Sequence, residues 1–117
     1  MDIIKTYYDE RNEVFLNLIN NNHYTEEELK NAFAKSLREI RVYSELSQKA
    51  VSEQTNIPLA TISAYENGTR TPSFIFAMKL AGFFGATIGD FIISGLDEDL
   101  NGYPDIFALY DFSRGKL

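Results

Sequence analysis

From Ile3 to Ile19 apolar residues recur at helical spacing. Ile4, Tyr8, Phe15 and Leu18 share one stripe, Ile3, Tyr7, Val14 and Ile19 widen it, and Asp9, Glu10, Arg11 and Glu13 lie between them. An amphipathic helix is predicted there, ending in the run Asn20-Asn21-Asn22. Thr25 and Glu28 then form a capping-box pattern that opens a second helix, running to about Tyr43 with Phe33, Leu37 and Ile40 inward. Ser47 caps a short helix that breaks at Asn56. Another begins near Leu59 and stops at Asn67-Gly68, where glycine accepts the left-handed conformation. Ser73 opens a further helix containing Phe74, Ala77, Met78, Leu80, Ala81 and Phe84, stopped by Gly85. Thr87 and Asp90 repeat the capping-box pattern before Ile88, Phe91 and Ile92, and Gly95 closes that element. Residues 96–117 are acidic and turn-rich up to Pro104, and the apolar segment Ile106 to Phe112 that follows is left unassigned.

With 117 residues, 44% of them hydrophobic, the chain can bury one core and is short for two. It divides into an amphipathic N-terminal helix (1–23), a central helical domain (24–95) and an acidic C-terminal extension (96–117). The absence of cysteine excludes disulfides and thiolate metal sites. No signal-peptide pattern opens the chain, and no segment reaches the roughly 18 apolar residues of a membrane span. A soluble, cytoplasmic protein with no membrane partner is expected.

The two short helices around Asn56, joined by a tight turn, make a rigid corner of the kind that sets one helix into a DNA major groove. The net charge of −6 speaks against DNA, because phosphate neutralisation supplies most non-specific affinity. Its distribution weakens that objection. Residues 1–36 carry four Lys/Arg and seven Asp/Glu, residues 94–117 carry two and five, and residues 37–93 carry five of each.

Residues 33–93 resemble the Cro/cI-type helix-turn-helix domain of phage repressors and the XRE family of bacterial regulators. The resemblance is carried without insertion by Leu37, Ile40, Arg41, Leu46-Ser47-Gln48, Ile57, Ile62-Ser63, Glu66-Asn67-Gly68, Pro72-Ser73, Leu80-Ala81, Gly85 and Asp90. It implies an all-α fold: a five-helix lambda-repressor-like DNA-binding domain, here with the additional N-terminal helix and acidic tail. It also implies a transcriptional regulator, a repressor without enzymatic activity or cofactor, binding double-stranded DNA.

Gln48 stands at a helix N-terminus, where backbone N–H groups and the helix dipole favour phosphate, and the resemblance implies a phosphate contact there. Asn67, Gly68, Thr69 and Arg70 follow the recognition helix, and the glycine turn lets backbone approach phosphate. Such contacts position a protein without reading sequence. With Ile62 and Tyr65 inward, helical spacing turns Leu59, Ala60, Ser63 and Ala64 outward as the base-facing set, with Thr61 at its edge. None of these can make the bidentate base contact of Arg, Lys, Gln or Asn, so methyl-biased or shape-based readout is expected. The resemblance further implies that Arg41 and Glu66 pair across the core. Pro58 suits a helix start but offers no capping oxygen, and its place as N-cap or first-turn residue is open.

Ile75, Phe76 and Phe83 occupy positions where related sequences tolerate polar residues, and together they call for a cover. The N-terminal helix, the Ile106–Phe112 segment or a second copy of the chain could supply it. A homodimer on a palindromic site is favoured, since repressors of this kind commonly dimerise near their last helices. Asp97 to Gly102 matches half of an EF-hand loop, but Ala108 stands where a bidentate Glu is needed, so an acidic turn is the preferred reading. Glu26-Glu27-Glu28 and Asp9-Glu10 read as solvated helix charges, and His23, the only histidine, as a surface residue; no metal site is expected. The alternative function is a protein-interaction module that keeps the scaffold and binds a partner through its N-terminal helix or C-terminal tail.

Overall fold

In the computed structural model Thr25 opens α1 (Glu26–Tyr43), the longest helix among the described residues, with a complete capping box. Its hydroxyl accepts from the Glu28 N–H at 3.1 Å, and the Glu28 carboxylate accepts from the Thr25 N–H at 3.3 Å. The structure describes residues 23–96 and 105–115, with Glu13, Leu16, Asn17, Asn20 and Asn21, which are helical. The apolar stripe from Ile3 to Ile19 and the acidic turn 97–104 lie outside the described residues.

Five further helices follow: α2 (Gln48–Thr55), α3 (Leu59–Glu66), α4 (Phe74–Phe83), α5 (Ile88–Gly95) and α6 (Ile106–Ser113). Among the described residues all regular structure is helical. α1 is the central element, packing along α5 and also touching α3 and α6, while α2 leans on α3 and α4. Leu37, Ile40, Val51, Ile57, Ile62, Leu80, Phe84 and Phe91 are fully buried where these elements meet. Each such side chain contributes about 1.5–3 kcal/mol of burial. The buried Ser36 hydroxyl donates to the Phe91 carbonyl, adding a polar tie between α1 and α5. Among the described residues no single helix is long and apolar enough to cross a membrane.

Gly95 is the last residue of α5, as expected, and lies where that helix meets α1; a Cβ there would fall 1.9 Å from the Ala32 carbonyl oxygen. The inward residue near the end of α5 is Ile93, with Ile92 only half-buried. The unassigned tail contains α6, whose Asp105 cap accepts from the Ala108 N–H at 2.8 Å.

α6 buries Ile106 and Leu109 and lays Phe107 and Tyr110 against Tyr43, with ring centroids 4.8 and 6.0 Å away. Gly85, left-handed at φ 80°, lets Ser113 come close; a Cβ there would be 2.6 Å from the serine side chain. The Tyr43 hydroxyl donates to Asp111 Oδ2 at 2.6 Å. That hydrogen bond holds the phenol above its ordinary pKa, since ionisation would oppose two negative charges.

Arg41 and Glu66 join α1 to α3 in a two-pronged pair, Nε to Oε2 at 2.7 Å and Nη2 to Oε1 at 3.0 Å. The remaining Arg41 Nη1 donates to the Leu46 carbonyl at 2.9 Å, fixing the loop into α2. Both side chains are largely buried, at 16% and 5% exposure, so neither charge has water as a ready substitute partner.

Replacing Glu66 by Ala therefore strands the Arg41 charge and is expected to cost roughly 3–5 kcal/mol in denaturant unfolding. A double Arg41→Met, Glu66→Leu variant should recover much of that loss; equal losses would show the pair is not coupled. Gly95→Ala should destabilise by about 1–3 kcal/mol through overpacking. Gly82→Ala, on an exposed helical site with no atom within 4 Å of the new Cβ, should be neutral or stabilise by up to about 1 kcal/mol. Raised in the folded state, the Tyr43 phenol supports docking of α6 below the ordinary tyrosine range, near pH 10, and loses that support as pH climbs through its elevated value. Alkaline ultraviolet titration should lose a late-ionising tyrosine in Tyr43→Phe.

Candidate nucleic-acid interface

The corner between α2 and α3 is built by local polar chemistry before any long-range contact. The Ser47 hydroxyl accepts from the Ala50 N–H at 3.0 Å, satisfying an N–H at the α2 start. Asn56, left-handed at φ 60°, reverses the chain at the α2 end. Ser52 Oγ donates to the Ile57 carbonyl at 2.6 Å, and the Ile57 side chain is fully buried beside Val51 and Ile62. Pro58 occupies the N-cap of α3 and supplies no side-chain hydrogen bond. Its φ of −55° presets the helix start instead.

Burial assigns the faces of α3. Thr61, Ile62, Tyr65 and Glu66 point inward, four residues at the spacing of one helical stripe. Thr61, expected at the edge of the base-facing set, is thus buried and belongs to the core side. Leu59 and Ala60 are exposed, and Ser63 and Ala64 are half-buried on the outward side. The outer surface of α3 is short, small and mostly apolar, with the Ser63 hydroxyl as its hydrogen-bonding group. The Tyr65 hydroxyl accepts from the Ser73 N–H at 3.3 Å and ties α3 to the start of α4.

Two polar groups stand near the C-terminal end of α3. Gln48, the first residue of α2, is half-buried and donates its amide to Glu66 Oε1 at 3.2 Å. One amide hydrogen is therefore engaged within the protein, while among the described residues the side-chain oxygen accepts no hydrogen bond. In the turn after α3, Gly68 has φ 75°, and its neighbours Asn67, Thr69 and Arg70 are exposed. The turn's own donors close the helix: the Asn67 N–H reaches Ser63 O, the Gly68 N–H reaches Tyr65 O, and the Thr69 N–H reaches Ala64 O. The Thr69 hydroxyl donates to Asn67 Oδ1 at 2.6 Å. The N–H groups of Asn67, Gly68 and Thr69 thus serve the helix end, and the Asn67 amide and the Arg70 guanidinium are the long polar side chains that the turn exposes.

Arg38 escaped the sequence reading. Its Nη1 donates to the Glu66 main-chain oxygen at 2.9 Å, at the last residue of α3. The signal was present, since Arg38 lies three residues before Arg41 and so shares its side of α1.

The apolar surplus on α4 is also redistributed. Phe76 and Phe83 are partly buried against the core, and Phe83 meets Phe84 edge to face at 4.9 Å. Ile75 remains exposed at 55%, accompanied by Phe74 at 68% and Met78 at 50%. The exposed apolar face is thus Phe74, Ile75 and Met78. His23 is exposed. Among the described residues no group of three or more His, Asp or Glu side chains could hold a metal ion.

A helix-turn-helix family model, HTH_3, matches residues 37–91, from the middle of α1 into α5. The chain is 32% identical over 71 residues to the cryptic phage CTXphi transcriptional repressor RstR of Vibrio cholerae, covering 58% of this chain and 64% of that protein. It thus spans a little under two thirds of that relative's length. No solved structure matches. With the capped α2, the left-handed Asn56, the buried Ile62 and Tyr65 and the Arg41–Glu66 pair all inside the matched segment, residues 37–91 form a helix-turn-helix domain similar to the Cro/cI (XRE) type.

Proposed function

We propose that this protein is a sequence-selective DNA-binding transcriptional repressor that acts as a homodimer on a palindromic site. The observation that carries this reading is the rigid α2–α3 corner, which presents Leu59, Ala60, Ser63 and Ala64 on the outward side of α3, with Gln48 and the Asn67–Arg70 turn near that helix's C-terminal end. A helix held at both ends and bare of long side chains can enter a major groove closely, and Gln48, Asn67 and Arg70 then stand where the sugar–phosphate walls run. Likeness to a phage transcriptional repressor supports repression as the outcome. DNA as the target puts its work in the cytoplasm.

Base discrimination rests on small groups. The Ala60 and Ala64 methyls and the Leu59 side chain suit thymine methyls, and Ser63 can bond either kind of base edge. Lacking a bidentate contact worth about 1–3 kcal/mol, the complex draws much of its selectivity from DNA shape.

The second copy covers the exposed face of α4. Phe74, Ile75 and Met78 form an apolar strip, and Gly82, one turn beyond Met78, has open space at its Cβ, so a partner helix can approach closely there. A two-fold pairing through α4 would repeat the α3 surface for two half-sites about one helical turn of DNA apart.

A second reading, a module for a protein partner, draws on the net charge of −6 and the apolar α3 surface. The two separate by salt. Repressor binding should fall with ionic strength at about −0.9 in log–log slope per phosphate neutralised. Absence of binding to any member of a random DNA library at low salt would favour the protein-partner reading. Within the DNA reading, Arg70→Ala should weaken all sites alike and make the slope shallower, whereas Ala60→Gln or Ala64→Gln should change the selected sequence. Ile75→Glu with Met78→Glu should leave helicity intact, give a monomer in sedimentation equilibrium and weaken binding to two half-sites far more than to one. A wild-type monomer at concentrations that saturate DNA would exclude the dimer.

A further inference from the structure

The turn after α3 poses an electrostatic difficulty for any phosphate that approaches it. It lies at the C-terminal end of a helix, where the helix dipole presents negative potential. The N–H groups of Asn67, Gly68 and Thr69, as described above, are already engaged in closing the helix. An anion held there needs a cation placed at the helix end itself.

Arg38 meets that need. Its Nη1 bonds the Glu66 carbonyl at 2.9 Å, one peptide unit from Asn67. The side chain is otherwise exposed, and among the described residues it has no carboxylate partner, whereas Arg41 is neutralised by Glu66. One of its five N–H donors is used on the carbonyl, leaving a positive, partly immobilised fork beside the turn. Asn31, two helical turns earlier on the same face of α1, also borders the turn, with Oδ1 3.1 Å from where a Gly68 Cβ would stand. This face of α1 therefore lies along the turn rather than away from it.

We propose that Arg38 binds a DNA backbone phosphate, forming with Asn67 and Arg70 a clamp on the strand that passes the C-terminus of α3. The α3 carbonyl orients the guanidinium, and the guanidinium cancels the adverse helix-end potential while donating its free N–H groups to a non-bridging oxygen. The contact reads no base. This inference rests on the DNA-binding reading above and adds to it a residue from α1, outside the helix-turn-helix proper.

Arg38→Gln keeps a donor for the Glu66 carbonyl and removes the charge, and Arg38→Lys keeps the charge. Circular dichroism melts identify variants that fold as the parent does. Titration of each folded variant on selected duplexes from low to moderate salt should give a slope shallower by about 0.9 for Arg38→Gln, a slope near the parent's for Arg38→Lys, and the same preferred sequence for both. A parent-like slope and affinity in Arg38→Gln would overturn the clamp and leave Arg38 as a positioning residue for α3. Arg70→Ala serves as the reference. If it lowers the slope and Arg38→Gln does not, this inference alone fails; if the parent protein binds no duplex, the DNA reading fails and the clamp with it.

Discussion

The Glu66 carboxylate is the point on which the rest of the structure turns. It accepts two hydrogen bonds from Arg41 in α1 and one from Gln48 at the start of α2, while belonging itself to the last turn of α3. Three helices thus converge on one buried anion. An ion pair of this kind is a poor source of net stability, because desolvating both charges offsets most of their attraction. It is a strong source of geometry, since any displacement of α3 relative to α1 leaves a charge without a partner. Apolar contacts between Val51, Ile57, Ile62 and Leu80 tolerate small slides; the fork of Arg41 on Glu66 does not.

Much of this was legible in the sequence because it is governed by local chemistry. The caps Thr25, Ser47, Ser73 and Thr87 and the terminators Gly68 and Gly85 act within four or five residues of themselves, and all appear as predicted. What the sequence did not disclose depends on residues far apart in the chain. Gly95 resembles a helix stop, yet its small size is demanded by Ala32 across the α1–α5 crossing. Thr61 resembles a residue at the rim of α3, but the stripe defined by Ile62, Tyr65 and Glu66 carries it inward. α6 was hidden for a related reason: eight residues with too few turns to show a period, their helix made worthwhile by Tyr43 and Gly85 waiting elsewhere in the fold.

The same dependence explains why the apolar face of α4 moved. Phe76 and Phe83 are large enough to reach back over the helix and rest on the core, while Phe74, Ile75 and Met78 project from the opposite side. A ten-residue helix that is apolar nearly all round gives no strong directional signal from its own sequence. The positions of its packing partners, α2 and α5 among them, decide which residues are covered.

An acidic chain and a DNA target are reconciled by where the charges act. In residues 37–93 the five acids and five bases appear balanced, but Glu66 is consumed by Arg41, and Asp90 is buried in the α5 capping box, its carboxylate accepting from the Thr87 N–H at 2.8 Å. Arg38, Lys49, Arg70 and Lys79 remain exposed against Glu39, Glu45 and Glu53, so the balance presented to solvent tips positive. The acids at the start of α1, Glu26 to Glu28, lie ten or more residues along the helix from Arg38, about 15 Å at 1.5 Å per residue. That exceeds the screening length of about 8 Å at physiological salt, so they repel a phosphate beside α3 only weakly. Dilute solution should weaken this shielding, because at about 0.01 M salt the screening length grows to roughly 30 Å and the acidic flanks come within range. Low ionic strength therefore strengthens the close cationic contacts and the distant repulsion together, and affinity should rise less steeply there than the number of phosphate contacts alone requires.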